Sequence, residues 1–225
     1  MKKTAVIFGA SGLVGKELCR ILSEDNEFEE IKIVVRTRQD NLSDKIKQII
    51  LPDFSKFSDI RDTLKADVFF CCIGTTIKKA GSQDSFLKVD LDIPVAVAEL
   101  AETLAVPSLV VISSLGADDK SSNFYLRTKG RMEKKVAESY HGNLKFVRPS
   151  LLMGDRKEFR FGEKIAVVFM KAFGWIFAGQ LARYRGIKAV DVARCLIKLS
   201  GLTTGKMIYE SEELAGIAGQ YNKLK

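Results

Sequence analysis

Apolar positions along the chain fall into two recurring patterns. Short, almost unbroken apolar runs occur at TAVIFG (4–9), IKIVV (31–35), DVFFCCIG (67–74), LVVISS (109–114) and LKFVRPS (144–150). Between them lie longer stretches with apolar residues three and four apart: LVGKELCRILSE (13–24), Val89–Leu104 and Tyr125–Tyr140. In the first, Leu13, Leu18, Ile21 and Leu22 share one side. A run apolar at every position predicts a strand covered on both faces, and the longer spacing predicts a helix with one buried side. Strands alternating with helices predict a doubly wound, mostly parallel α/β sheet, helices on both faces and crossovers right-handed. Weaker signals add a short third strand at Gln48–Leu51 and a helix at Phe57–Lys65. Past Ser150 they add helices at 163–178 and 188–200 and a short strand at Met207–Tyr209. The expected architecture is one domain over residues 1–225 with six or seven strands. Residues 1–150 form its core, and 151–225 its far end and a small C-terminal cap.

Composition narrows the function. The chain has 225 residues, 46% hydrophobic and 28% charged, which suits a globular protein with a full core. The net charge of +8 comes from 36 basic and 28 acidic residues. The basic residues are scattered without a long block, so no nucleic-acid partner is expected. The cysteines are Cys19, Cys71, Cys72 and Cys195, with no CxxC spacing, and His141 is the single histidine. No metal site is expected, and free thiols point to a reducing compartment. The N-terminal MKKTAVIFGAS has a charged start, but glycines interrupt its apolar part and Lys16 and Glu17 follow, unlike a signal peptide. Residues 165–179 carry Lys171 and fall short of the ~20 apolar residues of a spanning helix. The expected location is the cytoplasm.

Candidate chemistry begins at FGASGLVG (8–15), where Gly9, Gly12 and Gly15 are spaced by three. Gly9 permits a tight exit from the strand, Gly12 leaves room for a pyrophosphate to approach the main chain, and Gly15 lets the helix pack closely. The helix start offers free N–H groups and a positive dipole end, and Ser11 can add a hydroxyl. The position after a first strand and ahead of a helix is the context that a dinucleotide fingerprint requires. After the second strand the chain reads VVRTR, with Arg36 and Arg38 and no acid. A carboxylate there would grip the ribose 2′-OH of NAD, whereas guanidiniums attract a 2′-phosphate, so NADP(H) is expected over NAD(H).

In FYLRTKG (124–130), Tyr125 and Lys129 stand four apart on a predicted helix and share a face. A nearby ammonium favours phenolate, so such a tyrosine can exchange a proton with a carbonyl or alcohol oxygen. Ser113 and Ser114 end the fifth strand, at the edge where parallel sheets hold ligands. A serine hydroxyl there, Ser114 ahead of Ser113, can orient the same oxygen.

These residues resemble the short-chain dehydrogenase/reductases, and within them the atypical subgroup of the Tat-interacting protein 2 oxidoreductases and their microbial relatives. The resemblance is carried by FGASGLVG (8–15), FCCIGTTIKKAG (70–81), ISSLGADDKSSNFYLRTKG (112–130) and VRPSLLMGDR (147–156). It implies that Ser11, Gly12, Leu13 and Val14 lie along the cofactor phosphates and that Arg36 and Thr37 meet the adenosine 2′-phosphate. It also implies that Asp53 lies near the adenine, Ile73 and Gly74 lie beside the cofactor, and Leu152 and Arg160 close over the nicotinamide end. Tyr125 would be the proton acceptor and Lys129 its partner. The family's animal member has two consecutive arginines after the second strand; here Thr37 separates Arg36 from Arg38.

Residues 156–185 interleave aromatic and basic side chains. They suit either the lining of a pocket for an apolar substrate with an anionic group, or ordinary core packing with solvated charges. Peripheral membrane contact through 165–178 is a further option. The expected activity is hydride transfer between NADP(H) and a small carbonyl or alcohol substrate. An NADPH-binding regulatory protein with little catalysis is the alternative, because fold alone does not decide function.

Overall fold

Along the first strand Ala5 and Ile7 face one side, Val6 and Phe8 the other, and all four are fully buried. That two-sided burial is the signature of a strand covered by helices above and below. The computed structural model describes residues 2–153 and 186–221. Its strands are β1 (Lys3–Phe8), β2 (Phe28–Val35), β3 (Ile46–Ile50), β4 (Val68–Cys71), β5 (Ser108–Ile112), β6 (Asn143–Arg148), β7 (Leu152–Met153), β8 (Ile187–Lys188) and β9 (Ile208–Glu210). Seven form one sheet in the order β3-β2-β1-β4-β5-β6-β9, with every neighbouring pair parallel. β7 and β8 pair separately.

The helices are α1 (Leu13–Glu24), α2 (Ile77–Ala80), α3 (Gln83–Leu87), α4 (Ile93–Thr103), α5 (Phe124–Ser139), α6 (Ala189–Ser200) and α7 (Ser211–Tyr221). α1, α6 and α7 bury their apolar stripes on the face that carries Ile7, Phe70 and Val110. α4 and α5 cover the other face, over Phe8, Phe69 and Val111. The doubly wound α/β architecture expected from the alternating pattern is therefore present. Strand order reverses between β1 and β4, because crossovers leave that pair in opposite directions. Open parallel sheets bind ligands at such a point, beyond the carboxyl ends of the strands.

Several elements differ from the sequence reading, which has no counterpart for α2, α3, β7 or β8. The segment expected as helix at Phe57–Lys65 is a 3₁₀ stretch, Phe57–Thr63. α7 carries no expectation from the periodicity. The helix expected at Val89–Leu104 is instead a π turn at Lys88–Asp92 followed by α4. Pro94, in the first turn of α4, explains the interruption. It has no N–H for the Asp90 carbonyl four residues back, and its ring would press on that carbonyl; a widened turn relieves both. The helix expected at 163–178 lies outside the described residues.

One buried ion cluster ties the far edge of the sheet together. Arg148, at the end of β6, donates from Nε and one terminal nitrogen to Glu133 of α5 at 2.8 and 2.5 Å, and from the other to Glu210 of β9 at 2.8 Å. Glu133 is 6% exposed. Removing the guanidinium leaves that carboxylate buried and alone, so Arg148→Ala should destabilise the chain by about 3 kcal/mol in urea unfolding. Glu133→Gln/Arg148→Met, which removes both charges, should recover part of the loss.

Candidate cofactor site

The junction between β1 and α1 is held by close backbone contacts. Gly9 has φ +87°, and a Cβ there would lie 2.7 Å from the Cys72 carbonyl carbon and oxygen and 2.9 Å from the Ile73 nitrogen. A Cβ on Gly15 would collide with the Gly9 carbonyl oxygen and Ala10 Cα, so α1 packs directly on the turn. Gly12 differs. It starts α1 in an extended conformation and donates its N–H to the Gly9 oxygen at 3.0 Å. A Cβ there would meet only that oxygen, at 3.3 Å, with nothing else near. No side chain caps α1 and no acid lies in its first turn. An open seat over an uncapped helix start fits a diphosphate. Ser11 and Gly12 are exposed and Leu13 half-buried there, while the Val14 side chain belongs to the core and leaves only its backbone for a ligand.

Arg36, Thr37 and Arg38 follow the end of β2 and are exposed. Among the described residues no ion pair engages either arginine. The loop behind them is pinned reciprocally: Gln39 N–H donates to Gln48 Oε1 at 2.8 Å, and Gln48 Nε2 donates to the Gln39 carbonyl at 2.7 Å. A groove of about 520 Å³ runs between this loop and α1, from Ala10 past Lys16 to Ser43, flanking the turn. Asp53 lies on the exposed loop after β3 and accepts from the Ser55 N–H and hydroxyl at 2.9 and 2.8 Å, which holds its carboxyl below the usual range.

α5 is positioned by its own start. Asn123 Oδ1 accepts the Leu126 N–H at 3.1 Å, and Arg127 donates to the Ser121 and Ser122 carbonyls at 2.7 and 3.0 Å. Gly130 lies where a Cβ would collide with the Asp118–Asp119 backbone, so helix and loop nearly touch. These contacts account for most of SSNFYLRTKG in structural terms. They leave Tyr125 in the first turn, its ring 5.8 Å from that of Phe86, and Lys129 one turn on.

Lys129 is 3% exposed, and its ammonium lies 2.7 Å from Asp90 Oδ1 in the π turn. Asp90 Oδ2 accepts the Thr75 N–H at 2.8 Å, tying the pair to the loop after β4. Burial alone would lower the Lys129 pKa, but the Asp90 carboxylate, with Tyr125 and Cys71 adding, raises it above the ordinary value. A Cβ on Gly74 would lie 3.4 Å from Asp90 Oδ1 and 3.8 Å from Lys129 Nζ. Gly9 against Cys72–Ile73 and Gly74 against Asp90–Lys129 thus bring the glycine turn and the Tyr125 helix to the same loop after β4.

Both serines are buried. Ser114 Oγ donates to the Leu115 carbonyl at 3.4 Å, whereas Ser113 Oγ has no hydrogen-bond partner among the described residues. Leu152 sits half-buried in β7, and Arg160 lies outside the described residues. Asp90 and Thr75 are absent from the residues singled out by sequence. A signal for Asp90 exists: an acid inside an apolar helical stretch, four residues before a proline.

Parallel strand order with a glycine turn at the first strand–helix junction defines a Rossmann-like α/β fold. Comparison with known proteins agrees. Residues 4–91 match the family model described as semialdehyde dehydrogenase, NAD binding domain. Protein HTATIP2 of Rattus norvegicus is 35% identical over 199 residues, covering 87% of this chain and 80% of that protein. Protein FMP52, mitochondrial, of Debaryomyces hansenii is 31% identical over 208 residues, covering 90% of each. The chain belongs to the family of these HTATIP2 and FMP52 proteins, as its motifs anticipate. The enzyme WbmG of Bordetella bronchiseptica, solved in complex with NAD, shares the fold with a TM-score of 0.70 at 13% identity, over 100% of this chain and 78% of that one. The expected cytoplasmic location is corrected by the relatives: the FMP52 proteins of several yeasts are mitochondrial, which points away from the cytoplasm. Neither fold nor composition distinguishes the two compartments, so the sequence reading had no physical hold on this point.

The glycines should separate by substitution. Gly15→Ala, which forces α1 off the turn, should lower the urea midpoint clearly. Gly12→Ala should unfold within about 1 kcal/mol of wild type yet weaken dinucleotide binding at least about tenfold by calorimetry, because its methyl enters the ligand's seat rather than protein.

Proposed function

We propose that the chain is an NADP(H)-dependent oxidoreductase of the short-chain dehydrogenase/reductase type, acting on a carbonyl or alcohol carbon. The observation that carries this reading is that the loop after β4 meets both the glycine turn, through Gly9, and the Lys129–Asp90 pair behind the Tyr125 helix, through Gly74. The residues fit the cofactor: an uncapped helix start for the diphosphate, exposed Arg36 and Arg38 for a 2′-phosphate, and no acid at the end of β2 to grip a free 2′-OH. Asp53 is assigned to its adenine end, Ile73 and Gly74 to its flank, and Leu152 to its nicotinamide end.

When bound, the nicotinamide supplies or receives the hydride. The chain's part is to manage the proton and the geometry. Tyr125 gives a proton to the carbonyl oxygen in reduction and takes it back in oxidation. Lys129, charged despite its burial, stands one helical turn from Tyr125 and can hydrogen-bond a ribose hydroxyl. A serine hydroxyl orients the substrate oxygen; Ser113 has its Oγ uncommitted, while Ser114 shares its proton with a backbone carbonyl. The raised Lys129 pKa keeps its support of Tyr125 intact at neutral pH, with loss only on the alkaline side.

Tyr125→Phe should lower turnover by about 10²–10⁴-fold in an NADPH oxidation assay across aldehydes, ketones and quinones, with NADPH affinity unchanged. Full turnover in that variant, or silence of the wild type across the panel despite tight NADPH binding, would remove the catalytic reading. Arg36→Ala/Arg38→Ala should weaken NADPH at least about tenfold and leave NADH affinity where it was.

A further inference from the structure

We infer that Asp90 is a positioning residue for Lys129: from the π turn ahead of α4, its carboxylate holds the buried ammonium against the loop that lines the nucleotide crevice. The inference rests on the reading of Lys129 as the partner of Tyr125. It goes further by making that lysine's state depend on a residue from a different crossover of the fold.

An ammonium withdrawn from water needs a counter-charge or it gives up its proton. Three titratable groups act on Lys129 from the elements packed around it: Asp90 from the π turn, Tyr125 one turn back on α5, and Cys71 from β4. Burial pushes the Cys71 thiol up to about 11, so it is neutral in the working range. Glu133, one turn further along α5, is committed to Arg148. Asp90 supplies the carboxylate, at 2.7 Å and with 1% of its side chain exposed.

Its second oxygen is committed to the Thr75 N–H at 2.8 Å. Lys129 is thereby latched to the same loop that carries Ile73 and Gly74. At Gly74 a Cβ would stand in ordinary van der Waals contact with the pair, 3.4 Å from Asp90 Oδ1 and 3.8 Å from Lys129 Nζ. The π turn is what brings the acid inward, and Pro94 is the reason for that turn.

The sign of the pH effect follows. With Asp90 present, the Lys129 pKa stands above its unfolded value, so the pair's contribution is complete below the ordinary lysine pKa and is lost only as pH rises through the higher folded one. Without the carboxylate, burial acts unopposed and the folded pKa drops below the unfolded one. Such a variant is most destabilised where the lysine must stay charged and recovers as pH rises.

Asp90→Asn, Asp90→Glu, Lys129→Met and Asp90→Asn/Lys129→Met, each in the full chain, would be compared from about pH 6 to pH 10 by urea unfolding without nucleotide and by NADPH fluorescence titration. The stability deficit of Asp90→Asn should be greatest near neutrality and shrink toward the alkaline end. Its NADPH affinity should fall with rising pH to at least about tenfold below wild type, where wild type stays level. Asp90→Glu should recover part of both. If Asp90→Asn does not fold at neutral pH, the double variant, which removes both charges, should fold. A deficit equal at every pH, an Asp90→Asn loss of affinity that persists undiminished in the Lys129→Met background, or a double variant no better than Asp90→Asn would overturn the inference. Failure of the wild type to bind NADPH would sink the oxidoreductase reading instead, while the nucleotide-free urea series still judges Asp90.

Discussion

At Gly9 the first strand and the exit of the fourth approach so closely that a single methylene does not fit between them. Much else at this edge of the sheet follows from that contact. It places the start of α1 and the loop after β4 at one point, where the strand order reverses between β1 and β4. A glycine is required on conformational grounds, since φ is +87°, and on steric grounds, since the neighbour is backbone and does not move aside. Gly15 repeats the steric requirement from the helix side. Gly12 answers to neither, and the space before it is open.

The second organising fact is where the charges go. The chain is strongly basic, and two sets of its charges are closely paired. Asp90 meets Lys129 behind the crevice, and Arg148 meets Glu133 and Glu210 at the far edge of the sheet. Lys129 and Glu133 lie four apart on α5, so one helix carries both clusters on the same side. Each pairs side chains from separate crossovers and so makes register and helix placement mutually dependent. Buried pairs of this kind add little net stability over apolar packing. Their retention behind a candidate active site is better understood through what a charged lysine does there.

Much of the fold was legible in the chain because period-two and period-four patterns are local properties of consecutive side chains. β1, β4, β5 and β6 stand out as unbroken apolar runs, and α1 begins and ends where its spacing does. β2 starts earlier than its apolar run, at Phe28, because hydrogen bonds to β1 extend across polar Glu29 and Glu30. The glycine turn and the Tyr125–Lys129 spacing were likewise readable, being short motifs whose geometry a single turn of helix imposes. Asp90 was not, although Pro94 stood four residues away as a cue. A carboxylate in an amphipathic helix ordinarily faces solvent, and only the widened turn and the neighbouring crossover bring it inward. The two serines show the same limit, since adjacent hydroxyls look alike in sequence and differ only in what the folded backbone offers them.

By itself the sequence determined the α/β class, the helix and strand pattern of the core, and the presence of a nucleotide-type turn followed by a Tyr–Lys pair. Each of these depends on interactions between residues a few positions apart. Tertiary structure decided which charges meet, that Gly12 fronts open space while Gly9 and Gly15 are filled by neighbouring backbone, and that Lys129 is held by Asp90. Those outcomes join residues tens of positions apart, and they are set by how crossovers stack on the sheet, which no local pattern encodes.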